Sequence, residues 1–483
     1  MSESSPIDPA LVGLQPASMW RIFGDLARIP HGTGNEAGVR EYVQAFAANK
    51  NIACEVNEIG DLLLRVRPDA KGPIVALQAH MDMVCVAKDG LAFDFARDPI
   101  RLVRDGDFIR ADGTTLGADN GIGVAYALAL VDEVTGPLEV LLTVDEEKGF
   151  TGIEGVAPGW LHAKILINID SEEEGYLTIA SAGGRDFVVQ LPGARQDPSS
   201  KAEPLSVTID GLKGGHSGVE IHRGRTNALK VMGQVLATAK ACGGVVFGMD
   251  GGTAPNVIPS SAKAVVGLPV DRKEEFKAQV AALQRKLITE EDPVLRIEIA
   301  AAQESRKPLT DQASARLVAV IDETPSGVII PSKLDPTQPF VSNNLAMVKE
   351  LADGGLAITM MSRSPAIDEL MKLGDRYRGI ADKNGASMEA GRVVPGWAPN
   401  YDSPLLALFQ KKYKEQSGKD AKVFEIHAGL ECGALQGKYP GMDLISVGPD
   451  ITGVHSPDEK VSIESARRTF DLVRAVIQEL HRN

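Results

Sequence analysis

Cysteine is scarce in this chain: four residues among 483, Cys54, Cys85, Cys242 and Cys432, too widely spaced to form a CxxC pair. That scarcity excludes a disulfide framework and a thiolate zinc or iron–sulfur site, and it makes a reducing cytoplasm the expected compartment. Cys85 and Cys432 fall near candidate site segments but read as small apolar packing residues. Basic charge is also short, with 51 Lys and Arg against 65 Asp and Glu and a net charge of −14. Such a surface repels nucleic acid and anionic membranes, which excludes both as partners and leaves carboxylates to gather around cations. No apolar run approaches a membrane span; the longest, around Val124 to Val131, is far too short. The start, Met1-Ser2-Glu3-Ser4-Ser5-Pro6, has neither the basic opening nor the apolar core of a signal peptide. A phosphate loop is missing as well, because the glycine-rich stretch 113–123 lacks the GxxxxGK[ST] order and its lysine.

What is present is enough apolar residue in a long enough chain for two to four domains. One short apolar run stands out, Pro73 to Asp82, which reads as a buried strand bounded by Gly72-Pro73. His80 and Asp82 lie two apart at its carboxyl end, so both side chains leave one face of an extended backbone. Alone, such a pair is more often a hydrogen-bonded couple than a metal site. Open α/β sheets, however, keep their chemistry at this end, and other strands end in the same way. Leu138 to Val144 runs into Asp145-Glu146-Glu147, Lys164 to Ile169 into Asp170, and Leu444 to Gly448 into a loop holding His455. Asp119 sits where an N-cap would sit, at the start of the helical stretch Val124 to Val131. The glycines before it imply a backbone brought close to something. Pro16 to Ile29 and Asn35 to Ala47 read as helices, with His31 in the turn between them, and a closing helix carries Phe470, Val473, Ile477 and Leu480 on one face.

Between these parts the pattern changes. From about Leu205 to Pro395, strands and helices alternate in two similar sets, which predicts an antiparallel α+β insert of two pseudo-duplicated halves. The expected architecture is an α/β catalytic domain with a mainly parallel sheet, residues 1–184 and 397–483, split by an α+β lid at residues 185–396.

Two histidines with several carboxylates and no thiolates favour Zn²⁺, or Mn²⁺ or Co²⁺, and the number of carboxylates suggests two ions. A pair of ions needs a bridging carboxylate, for which Asp119 is the candidate, and serves hydrolysis. A neighbouring carboxylate that is not a ligand would move the proton.

The segments His80-Met81-Asp82, Gly117-Ala118-Asp119-Asn120-Gly121, Asp145-Glu146-Glu147, Asn168-Ile169-Asp170, Gly214-Gly215-His216-Ser217-Gly218 and Val454-His455-Ser456 resemble the signature series of the di-zinc exopeptidases that include carboxypeptidase G, aminoacylase and carnosinase. Through Ala428-Gly429-Leu430-Glu431-Cys432-Gly433 and the long insert, the chain is most similar to the aminoacyl-histidine dipeptidase group of that family. The resemblance implies that Asp119 bridges two zinc ions, with His80 and Asp170 on one and Glu147 and His455 on the other. It makes Glu146 the general base and later acid, and Asp82 the residue that holds the His80 ring. It assigns His216 to the oxyanion and Arg363 to the substrate's carboxylate, roles suited to an imidazole donor and a bidentate guanidinium. Without the resemblance, His216 is equally a turn histidine and Arg363 an ordinary ion-paired arginine. Asn227, Asn256, Asn343 and Asn344 read as caps or turn residues before substrate contacts. The expected activity is cleavage of unblocked dipeptides, Xaa-His included. The rivals are an amidohydrolase of N-acyl amino acids and an inactive metal-binding relative, the latter disfavoured because Glu146 and every ligand position are present. In the resembling family a single-unit lid dimerises to share the oxyanion histidine; a doubled lid supplies it internally, so a homodimer is compatible but not required.

Overall fold

The structure is a computed structural model that describes residues 6–197 and 202–482. Residues 1–5 of the amino-terminal segment lie outside them. The described residues divide into two compact units: one holds the chain up to Ala180, Pro399–Glu425 and the chain from Leu430 on, the other Ser181–Ala398 with Ile426–Gly429.

The first unit is built on an eight-stranded sheet in the order Ala53–Val56, Leu62–Val66, Leu138–Thr143, Val75–His80, Ile165–Asn168, Asp443–Ser446, Tyr176–Ser181, Lys422–Ile426. Its four central strands, from Leu138–Thr143 to Asp443–Ser446, are parallel, with Val75 paired to both Leu138 and Ile165, and Asp443 paired to Ile165. The pairings next to that centre are antiparallel. Every residue of Val75–His80 and of Leu138–Thr143 is buried. That is why these strands read as continuous apolar runs rather than alternating ones. Because the four run in one direction, Thr143, His80, Asn168 and Ser446 all end at the same edge.

The helix Ala118–Glu133 is apolar all round and buried from Asn120 to Val131, as a helix in a core must be. The Tyr126 ring meets Phe470 of the closing helix Ile463–Arg482 edge to face at 5.5 Å. Trp20 and Phe23 of Ala17–Ala27 complete this core. A small sheet, Ile451–Thr452, Lys460–Ser462, Phe108–Ala111, Leu102–Asp105, ties two distant segments together. Its Lys460↔Arg110 and Ser462↔Phe108 pairs hold the loop carrying His455 beside the chain that leads to Asp119.

The second unit is a nine-stranded antiparallel sheet with the helices Ala228–Ala241, Lys273–Leu287, Asp311–Glu323 and Ile367–Lys383. Glu203–Asp210 and Leu356–Ser364 alternate buried and half-buried residues, the mark of a sheet covered on one face. The sheet is continuous, and Val245–Gly251 meets Pro339–Glu350 in it through the pair Gly251↔Val348.

Candidate metal centre

Four loops at the shared strand edge of the first unit bring the candidate ligands together. His80 Nε2 lies 3.1 Å from Asp119 Oδ1 and 3.3 Å from Asp170 Oδ1. His455 Nε2 lies 3.2 Å from the other Asp119 oxygen and 3.1 Å from Glu147. Asp119 therefore presents one oxygen to each histidine. The ligand atoms of His80, Asp119 and Asp170 fall within 4.8 Å of one another, as do those of Asp119, Glu147 and His455. Glu146 reaches to 4.0 Å from His80 Nε2. No thiol takes part, and Cys432 is buried as expected, whereas Cys85 is exposed. The packing role expected for Cys85 is thus corrected, because its turn leaves the thiol on the surface of a cavity.

Local geometry explains each placement. Gly117, at φ +72, turns the chain into the helix, and Asp119 and Asn120 depart from helical dihedrals. Asp119 is thus not the N-cap; its side chain is free to face the histidines. Gly123 has no room for a Cβ, which would sit 2.5 Å from the carbonyl of Ile169. What the glycine-rich stretch brings close is the neighbouring strand end that carries Asp170. Asn120 Nδ2 donates to Ile169 O at 2.7 Å and also to the Asp170 carboxylate. His455 sits at φ +60, a conformation uncommon outside glycine and typical of functional loops.

Asp82 does more than the resemblance implied. Its backbone carbonyl is the nearer partner of His80 Nδ1, at 3.0 Å, with its carboxylate at 3.4 Å. The carboxylate accepts the backbone N–H groups of Glu146 and Glu147 at 3.1 and 3.2 Å and the Thr33 hydroxyl at 2.9 Å. It thereby shapes the loop of the two glutamates as well as the histidine ring. His31 lies in the turn between the first two helices and is buried there, with Nδ1 against the carbonyl of Ile29.

Glu459 was missed by sequence reasoning. Buried at 2% exposure, it accepts the backbone N–H groups of Leu116, Gly117, Ala118 and Asp119 at 2.7–3.3 Å. It lies four residues after His455, so one carboxylate pins the turn that aims Asp119 to the loop that carries His455. Glu431, quoted above only as part of a motif, is fully buried and accepts from Gln78 Nε2 and, at 2.7 Å, from Thr143 Oγ1. Burial pushes its carboxyl up to about 8.

The electrostatics show a site short of positive charge. Burial opposes a charged His80, but the Asp170 charge and hydrogen bonds to the surrounding carboxylates outweigh it and hold the imidazole well above its ordinary value. Hydrogen bonds to Asp119 and Glu147 lift His455 to about 11. Burial, with the charges of Asp170, Glu431 and Glu147, pushes Glu146 well up. Burial likewise raises Asp170 and Glu147. Protons on imidazoles here stand in for cations, and a donor set of two imidazoles and three carboxylates suits hard to borderline divalent ions.

In the second unit, His216 Nδ1 accepts the backbone N–H groups of Gly218 and Val219 at 3.2 and 3.3 Å. Burial and the nearby Arg363 charge lower its pKa, so the neutral ring carries its proton on Nε2 as a donor. Arg363 is 9% exposed, and Nε donates to Ser217 Oγ at 3.4 Å. Among the described residues no carboxylate lies within ion-pair distance of its guanidinium, so it is not the ordinary ion-paired arginine. Asn227 caps its helix by accepting from Leu229 and Lys230 N–H. Asn343 and Asn344 donate to Pro325, Pro255 and Val257 carbonyls. Asn256 contributes its backbone carbonyl to Ser217 N–H. Among the described residues, His162, His222, His427 and His481 join no ligand cluster.

Comparison with known proteins gives the family. Residues 76–479 match the peptidase family M20/M25/M40. The chain is 38% identical over 482 residues, 97% of its length and 98% of the relative's, to the cytosol non-specific dipeptidase of Escherichia coli (strain K12). The crystal structure of aminoacylhistidine dipeptidase from Vibrio alginolyticus matches with a TM-score of 0.90 at 32% identity, covering 99% of each chain. That of aminopeptidase PepT from Bacillus cereus shares the fold, with a TM-score of 0.54 at 15% identity over 97% of this chain and 99% of that one. With a family match spanning most of its length and a relative of this identity over nearly all of it, the chain belongs to peptidase family M20/M25/M40.

Proposed function

We propose that the protein is a metal-dependent dipeptidase that hydrolyses unblocked dipeptides, Xaa-His included. The observation that carries this reading is Asp119, which offers one carboxylate oxygen to each of two histidines at 3.1 and 3.2 Å. His80 and Asp170 would hold one divalent ion and Glu147 and His455 a second, with Asp119 shared. Zinc is the ion we favour, with Mn²⁺ or Co²⁺ as alternatives. When bound, such a pair lowers the pKa of a water and polarises the scissile carbonyl.

The chain's own residues do the rest. Glu146, next to the ligands and raised in pKa by burial, takes the proton from the attacking water and passes it to the leaving nitrogen. Asp82 fixes the histidine and the glutamate loop around it. His216 presents its Nε2–H to the oxygen on which negative charge develops, and Arg363 takes the carboxyl terminus of the substrate in a bidentate grip. Among the described residues no carboxylate lies within ion-pair distance of this buried guanidinium, and only the more distant Asp186 charge acts on it, which supports that last role, since a buried charge needs an anion to satisfy it. In this reading the second unit acts as a lid that brings His216 and Arg363 to the centre. A cytoplasmic location accords with the name of the Escherichia coli relative. No described helix is long and apolar enough to cross a membrane. The doubled second unit leaves a homodimer compatible but not required.

The test compares a free Xaa-His dipeptide with its N-acetylated form on zinc-loaded protein. Cleavage of the free peptide alone is the expected result; preferential cleavage of the blocked form would make the protein an amidohydrolase instead.

A further inference from the structure

Beside the centre, and wholly within the first unit, lies a cavity of about 470 Å³ with Glu147 in its wall. Its other walls come from the turn after Pro30, from the chain beyond Val75–His80 and from Lys148. We propose that this cavity binds the side chain of the dipeptide's amino-terminal residue and selects for uncharged aliphatic and aromatic side chains. The proposal rests on the dipeptidase reading above. In a dipeptide, the carbonyl carbon under attack is bonded directly to the amino-terminal Cα. That residue's side chain must therefore start two bonds from the reacting atom and leave the centre past its ligands, and Glu147 is both a ligand candidate and part of this wall. The size falls within the range of small-molecule pockets.

The lining sets the chemical class. Met83, Val84, Cys85, Phe95 and Ala96 supply apolar surface. Met83 is 2% exposed, and the Phe95 ring is held edge-on against Phe93 at 4.7 Å. The polar groups already have partners: the Thr33 hydroxyl donates to Asp82 at 2.9 Å and Asn35 Nδ2 to Pro30 O at 3.4 Å. Lys148 Nζ stays at the exposed rim, 3.5 Å from Thr33 O, where it disfavours a cationic side chain. Cys85 and Gly32 meet in the wall, the Sγ so near that a Cβ on that glycine would come within 2.3 Å.

Two measurements on the zinc-loaded enzyme test this. In Cys85→Trp, which fills the cavity, kcat/KM for Leu-Ala, Met-Ala and Phe-Ala is expected to fall about tenfold or more beyond any fall for Gly-Ala, the scale on which apolar pockets discriminate. An equal loss across the panel, or none, overturns the proposal. Independently of turnover, alkylation of Cys85 by N-ethylmaleimide, followed by peptide mapping, is expected to be slowed by leucine and not by glycine. Equal labelling with both overturns it. If the unmodified enzyme cleaves no free dipeptide, the dipeptidase reading fails, and the labelling comparison still decides whether the cavity takes a side chain.

Discussion

At the scale of residues, the site is a set of charges that only make sense together. Glu146 lies 4.0 Å from His80 Nε2 and groups with His80 and Glu147, but it joins neither of the two ligand groups that share Asp119, which suits a group that moves protons rather than holds metal. Glu146→Gln is therefore expected to lower kcat by about 10²–10⁴ with metal content unchanged by elemental analysis. A loss of metal in proportion to the loss of rate would recast Glu146 as a ligand. Glu459 makes the opposite prediction. With an amide in place of its carboxylate, four backbone N–H groups lose their charged acceptor, so Glu459→Gln should weaken metal affinity by about 10–100-fold while activity returns at saturating metal. Competition with a chelator measures this, and wild-type affinity would remove the positioning role. His80, Asp119, Glu146, Glu147, Asp170 and His455 were legible because each follows a recognisable strand or opens a glycine-rich turn. Glu459 was not, because its partners are backbone N–H groups, and backbone partners leave no mark in a side-chain pattern.

Elements differ in how openly they declare themselves. The central strands Val75–His80 and Leu138–Thr143 are buried on both faces, so their apolar runs are unbroken. Leu62–Val66 is equally well paired but is interrupted by Arg65, whose guanidinium meets Glu55 and Glu139 at 2.5 Å each. Ala53–Val56 and Leu102–Asp105 are partly exposed and carry no such run. Helix starts were misplaced for local reasons. The second helix begins at Ala37 rather than Asn35, because Asn35 N–H still closes a turn onto Gly32 O at 2.8 Å. The helix Ala118–Glu133 underlies the whole centre, since the turn that aims Asp119 is its first turn. Leu128, fully buried within it, should cost about 2–5 kcal/mol of unfolding free energy on substitution by alanine. Denaturant titration reads that loss, and a change below about 0.5 kcal/mol, typical of surface sites, would mean that this helix does not carry the core.

For the whole molecule, the broad architecture was readable because the two parts of the chain use different periods. The first unit alternates apolar strands with helices, and the second strings antiparallel strands between helices around a single sheet. What could not be read was that the two halves of the insert fuse through Gly251↔Val348, since one pairing between distant strands has no local signal. The proposed activity depends on the first unit holding two metal ions around Asp119. The direct measurement is to strip the protein of metal, titrate Zn²⁺ back, and follow bound metal and hydrolysis of a free Xaa-His dipeptide on the same samples. Two ions around Asp119 require that turnover is absent without metal and recovers fully as binding saturates at two ions per chain. Turnover that persists in the stripped protein, or saturation at a single ion, would contradict it.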